Sequence, residues 1–132
     1  MPHFHVEYSG NLEDRIDMSG LCECIRATAA GIKTFPLPGI RVRATRVDHY
    51  AIADGNPAHG FIDISIRLRA GRAADVKRDA TQRIFEAVEA YLSPAFAGHS
   101  IALSLEMRDI DPDLSPKTGT IRDHLGATNQ ET

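Results

Sequence analysis

Two hydrophobic rhythms alternate along this chain. Residues 2–8 (PHFHVEY) set Phe4, Val6 and Tyr8 against His3, His5 and Glu7, the period-2 pattern of a strand with one buried face. Ser9-Gly10-Asn11 interrupts it. From about Ser19 to Ile32 the apolar positions Leu21, Ile25 and Ala29 recur every fourth residue, which predicts a helix. Pro36, Pro38 and Gly39 end that region. A second strand is expected from Ile40 to about Ala53, with Ile40, Val42 and Ala44 opposite Arg41, Arg43 and Thr45. Asp54-Gly55-Asn56-Pro57 then reads as a turn.

The second half repeats this order. Over Gly60–Arg69, Ile62, Ile64, Ile66 and Leu68 alternate with Asp63, Ser65, Arg67 and Arg69. Ala70-Gly71 stops the strand. A long helix is expected from roughly Ala73 to Phe96, striped by Val76, Ala80, Ile84, Val88 and Leu92. A fourth strand, Ile101–Ile110, places Ile101, Leu103, Leu105 and Met107 on one face. One helical turn is expected at 120–125, and residues 126–132 as a disordered tail.

The pattern therefore predicts an α+β fold. Two β-α-β units, halves of about 2–56 and 57–110, form a four-stranded sheet with both helices on one face. Residues 1–125 make a single domain. The other sheet face carries His3, His5, Glu7, Arg41, Arg43, Asp63, Ser65, Arg67, Ser104 and Glu106. Such a face suits water, or an oligomer in which sheets meet and charges pair. The pattern leaves both open.

Composition narrows the function classes. The chain has 132 residues, 42% hydrophobic and 25% charged, as expected of one soluble domain. A net charge of −3 gives no electrostatic case for nucleic acid or a membrane surface. Yet Arg41, Arg43, Arg46, Arg67, Arg69 and Arg72 crowd two segments, which points to a local site for anions. No segment reads as a signal peptide or membrane span. Cys22 and Cys24, two apart on a helix, suit reduced thiols in the cytoplasm. The histidines His3, His5, His49 and His59 read as structural polar residues, and no metal is expected.

Pro2 is the candidate for chemistry. Methionine is removed readily before a small residue, which would leave a terminal proline. Its ring nitrogen is a strong secondary-amine base held in one orientation. Burial and neighbouring cations disfavour its protonated form and bring its pKa toward neutrality, where a general base works best.

The segments PHFHVEYS, GLCECIRATAAGIKTFPLPGIRVR (20–43), the ADG turn (53–55), RLRAGRAADVK (67–77), ALSLEMRDIDPDLSPK (102–117) and IRDHL (121–125) together resemble the 5-carboxymethyl-2-hydroxymuconate isomerase family of the tautomerase superfamily. The resemblance spans residues 2–125. It implies a cofactor-independent isomerase, trimeric, with Pro2 as catalytic base and acid. Arg41 and Arg72 match arginines that bind substrate carboxylates, and Arg43 is a further candidate. The first half has Asn11 where a strand-end arginine would stand, while the second half has Arg72 but no free amine. The halves complement one another, which implies one site per subunit and three per trimer. Arg72 opens the predicted helix, where a cation opposes the dipole by about a few tenths of a kcal/mol unless an anion binds.

The implied reaction converts a 2-hydroxymuconate-type dienol, a small dicarboxylate or tricarboxylate of homoprotocatechuate catabolism, to its 2-oxo isomer. Three alternatives stand beside it: a phenylpyruvate-type tautomerase or a dehalogenase, a non-catalytic trimeric binding domain, and a monomeric ligand-binding domain of ferredoxin-like shape. A dehalogenase would need a water-activating carboxylate near Pro2, for which Glu7, Glu106 and Asp63 are the candidates.

Overall fold

A computed structural model describes residues 1–126; the expected tail at 126–132 lies, but for Gly126, outside the described residues. The elements follow the alternation in the sequence: β1 (His3–Ser9), α1 (Met18–Ala30), β2 (Arg41–Val47), β3 (His59–Arg69), α2 (Ala74–Phe96) and β4 (Ser100–Ile110). The sheet order is β2-β1-β3-β4. Each half is a parallel pair, β1 with β2 and β3 with β4, and the halves join through antiparallel β1 and β3.

Period-2 alternation places Phe4, Val6, Ile62, Ile64, Ile66 and Leu68 under the helices, all fully or almost fully buried. They meet Leu21, Ile25 and Ala29 of α1 and Ala80, Ile84, Val88 and Leu92 of α2. Phe4 also packs edge-on against Phe35, with ring centroids 5.0 Å apart. α1 is capped by Asp17, whose carboxylate accepts from Gly20 N at 3.1 Å.

Two expectations need correction. β2 ends at Val47, not near Ala53. It is an edge strand whose one partner is β1, and β1 ends at Ser9, the residue paired with Val47. Beyond that point Tyr50, Ala51 and Ile52 have no ladder to join, so the chain loops out. The second correction concerns Arg72. The helix starts at Ala74 with Ala73 as its cap, so Arg72 lies ahead of the first turn and the helix-dipole argument does not apply to it.

The antiparallel join fixes where the site forms. His3 at the start of β1 pairs with Arg41 at the start of β2 and with Arg67 near the end of β3. Residues leaving β3 therefore arrive beside the amino terminus. Gly71, at φ +120°, makes the bend there, a conformation that a side chain would strain. At the opposite end the chain fills its own space. Asn11 donates to the carbonyl oxygens of Pro57 and His59 at 3.3 and 2.8 Å, and Ser9 Oγ accepts from Phe61 N at 2.9 Å.

Candidate active site

Pro2 is buried, and Met1 before it is partly exposed. The Pro2 carbonyl accepts from Arg41 N at 3.1 Å, which ties the terminus to β2. Gly39 makes room for it. A Cβ at Gly39 would lie 2.9 Å from both Pro2 Cδ and Met1 Cα. Gly39→Ala is accordingly expected to push the proline ring out of place. Turnover should fall about tenfold or more, in line with the penalty for misplacing a reacting group. Circular dichroism should remain that of the native fold; unchanged turnover would show that the ring tolerates the shift.

Two pockets flank the terminus. One, of about 160 Å³, is lined by Met1, His3, Arg67, Arg69 and Lys117, closed by Ile110, Pro112, Ser115 and Pro116. The other, of about 340 Å³, is lined by Met1, Arg41, Lys117 and Arg122 with Pro36, Pro38 and Gly39. No carboxylate lines either one among the described residues. Arg41, Arg67, Arg69, Arg72, Lys117 and Arg122 form no ion pair among the described residues, whereas Arg26, Arg46, Lys77, Arg83 and Arg108 all do.

This concentration of positive charge acts on the terminal amine. The pKa of the Met1 amine falls from 8.0 to about 6, first through burial, then through the nearby Lys117 ammonium, and then through Arg72 and Arg41. His3 nearby is lowered for similar reasons: burial first, then Arg67, Arg43, Arg41 and the terminus.

Arg41 lines the larger pocket beside the terminus, whereas Arg72 lines neither pocket and acts on the terminal amine only through its charge. Arg41 Nη1 donates to Gly39 O at 2.8 Å and Arg72 Nη1 to Arg69 O at 2.9 Å, bonds that aim both guanidinium groups without neutralising them. Arg43 goes elsewhere. It donates to His3 Nδ1 at 3.2 Å on the open sheet face. Arg46 pairs with Asp48 at 2.7 Å at the far end of β2. His59 sits between Asp54 (2.8 Å) and Ser100 (2.7 Å), and His5 bonds Thr45 at 2.8 Å.

Sequence reasoning passed over Lys117 and Arg122. Both lie in the segment after β4, where Pro, Gly and polar residues are mixed and no periodicity marks a face. The signal lay in Pro112 and Pro116, which turn the chain back toward the terminus.

The profile of the 5-carboxymethyl-2-hydroxymuconate isomerase family matches residues 2–125, and the chain belongs to that family. It is therefore an isomerase. A 5-carboxymethyl-2-hydroxymuconate Delta-isomerase of Escherichia coli is 31% identical over 121 residues, covering 92% of this chain and 96% of that one. A crystal structure of a 5-carboxymethyl-2-hydroxymuconate delta-isomerase superposes with a TM-score of 0.87 at 29% identity, covering 94% of this chain and 92% of the other. A fused 4-OT solved as a symmetric trimer shares the fold at 18% identity, with a TM-score of 0.58 over 88% of this chain and 93% of that one. No described helix is long and apolar enough to cross a membrane.

Proposed function

We propose that the mature chain begins at Pro2 and that its ring nitrogen is the acid–base group of a cofactor-independent isomerisation. The substrate is 5-carboxymethyl-2-hydroxymuconate or a close dienol acid of aromatic catabolism. The observation that carries this reading is the depressed basicity of the terminal amine, set by burial, Lys117, Arg72 and Arg41. Met1 stands where the substrate would stand. It lines both pockets, so removing it would enlarge each of them.

The reaction needs one base used twice. Neutral Pro2 nitrogen accepts the proton of the enol hydroxyl, leaving a dienolate whose negative charge spreads along the conjugated chain. The resulting ammonium then donates that proton to a distant carbon, and the C2 oxygen becomes a ketone. No electrons leave or enter. Charge develops on the dienolate oxygen, where fixed cationic donors lower the barrier. Arg41 and Arg72 are suited to this and to gripping carboxylates through two parallel N–H···O bonds.

The assembly is proposed to be a homotrimer in the cytoplasm. Across the open sheet face His5 bonds Thr45, Arg43 bonds His3 and Ser104 bonds Asp63, which leaves the charges of Arg43 and Asp63 without ionic partners among the described residues, partners that a neighbouring sheet could supply. The decisive assay follows ultraviolet absorbance with a 5-carboxymethyl-2-hydroxymuconate and with phenylpyruvate. The hydroxymuconate should be consumed about 10-fold faster or more, since the mono-acid leaves one of the half-buried guanidinium groups of Arg41 and Arg72 without its charged hydrogen-bond partner. Activity requires the neutral nitrogen, so it should fall as pH drops through that nitrogen's pKa. The limb is expected below the ordinary terminal range of ~8, because the same burial and cations act on the Pro2 nitrogen. Preference for phenylpyruvate would overturn the substrate assignment.

A further inference from the structure

Lys117 differs from the arginines of the site. Besides Met1, it alone lines both pockets among the described residues. It lies beyond the last strand, on a segment fixed by its own turns. Asp111 Oδ1 accepts from Asp113 N at 2.9 Å, Ser115 Oγ donates to Asp111 O at 2.6 Å, and Pro112 and Pro116 restrict the backbone. The strap so formed ends at Lys117, which lines both pockets together with Met1. No carboxylate pairs with it among the described residues. Lys77, by contrast, has Asp109 at 3.3 Å.

A cation beside an amine, with no counter-ion, is poorly placed unless an anion joins them. The reaction supplies one. A base that removes a hydroxyl proton must lie within about 2.6–3.2 Å of that oxygen. The Met1 nitrogen is three covalent bonds from the Pro2 nitrogen, about 3.5 Å away in the extended conformation a residue takes before proline. It therefore marks, within an ångström or so, where the reacting oxygen would sit once Met1 is gone. Whatever reaches the one can reach the other.

We infer that Lys117 is a further catalytic residue, whose ammonium contacts the substrate oxygen that loses its proton to Pro2 and holds the negative charge formed there. This rests on the reading of Pro2 as the base. Its place in the lining of both pockets makes the strap part of the site.

The test uses the mature full-length enzyme with Lys117→Met and Lys117→Arg, assayed across pH with the hydroxymuconate. Lys117→Met should lower kcat about 10- to 100-fold, less than a fully buried oxyanion donor because Lys117 is exposed on one side, and should change KM less. Lys117→Arg should restore most of the rate. Loss of the cation should also move the acid limb to higher pH, because protonating Pro2 becomes easier. Melting temperature should be unchanged, since the side chain is exposed and packs against no core residue. A kcat within twofold of wild type, or a lower kcat with an unmoved limb, would overturn the inference. Pro2→Ala measured alongside separates the two readings. If it is inactive while Lys117→Met is normal, Lys117 alone loses its role; if it is fully active, the base assignment fails first.

Discussion

Pro2→Ala should lose at least ~10²-fold in kcat with little change in KM, the range for removing a positioned general acid–base group. Alanine is also small, so methionine removal is preserved and the variant still ends in an amine. What it lacks is the ring. Alanine's primary amine turns freely about its bond to Cα, whereas the proline nitrogen is fixed by the ring that packs against Gly39. The loss would therefore report orientation and basicity and leave the cationic surroundings intact. Binding of an unreactive dicarboxylate should persist, because Arg41 and Arg72 remain. Turnover within threefold of wild type would contradict the assignment.

The second large effect is expected at Arg41. Its guanidinium is aimed by Gly39 O and lines the larger pocket, with no acidic partner among the described residues. Arg41→Ala should cost about 10²- to 10³-fold in kcat/KM, as for other preorganised donors to developing negative charge. Arg41→Lys should recover only part of this, because a point ammonium cannot make the paired bonds of a planar fork. A dicarboxylate inhibitor titrated against both variants would divide binding from chemistry. Equal loss in inhibitor affinity and kcat/KM would mean that Arg41 holds the ground state; a larger loss in turnover places its contribution in the transition state. Unchanged kinetics in Arg41→Ala would remove it from the site. The same substitution at Arg43 should be mild, since that side chain is engaged with His3.

The architecture was legible because each strand buries one face, and alternation such as Ile62-Asp63-Ile64-Ser65-Ile66 records that directly. Helix α1 was legible through Leu21, Ile25 and Ala29 for a similar reason. The end of β2 was not. Its apolar residues Tyr50 and Ile52 look like strand, but an edge strand lasts only as long as its neighbour, and that is decided at Ser9 forty residues earlier. Pro2, Arg41 and Arg72 were proposed through family resemblance together with the chemistry of a secondary amine among guanidinium groups. The crowding of Arg67 and Arg69 was visible, but their arrival beside the terminus depends on β3 running antiparallel to β1. Lys117 had no local pattern. Its position depends on where a proline-bound strap returns, and that is a property of the folded chain alone.

The central claim concerns one nitrogen, and titrating it is the most direct test. With ¹⁵N-proline labelling, the mature protein should show one secondary-amine resonance whose protonation midpoint lies below the ordinary terminal range of ~8. That midpoint should coincide with the acid limb of turnover. A terminus still carrying Met1, or a proline nitrogen that stays protonated above pH 8, would contradict the account.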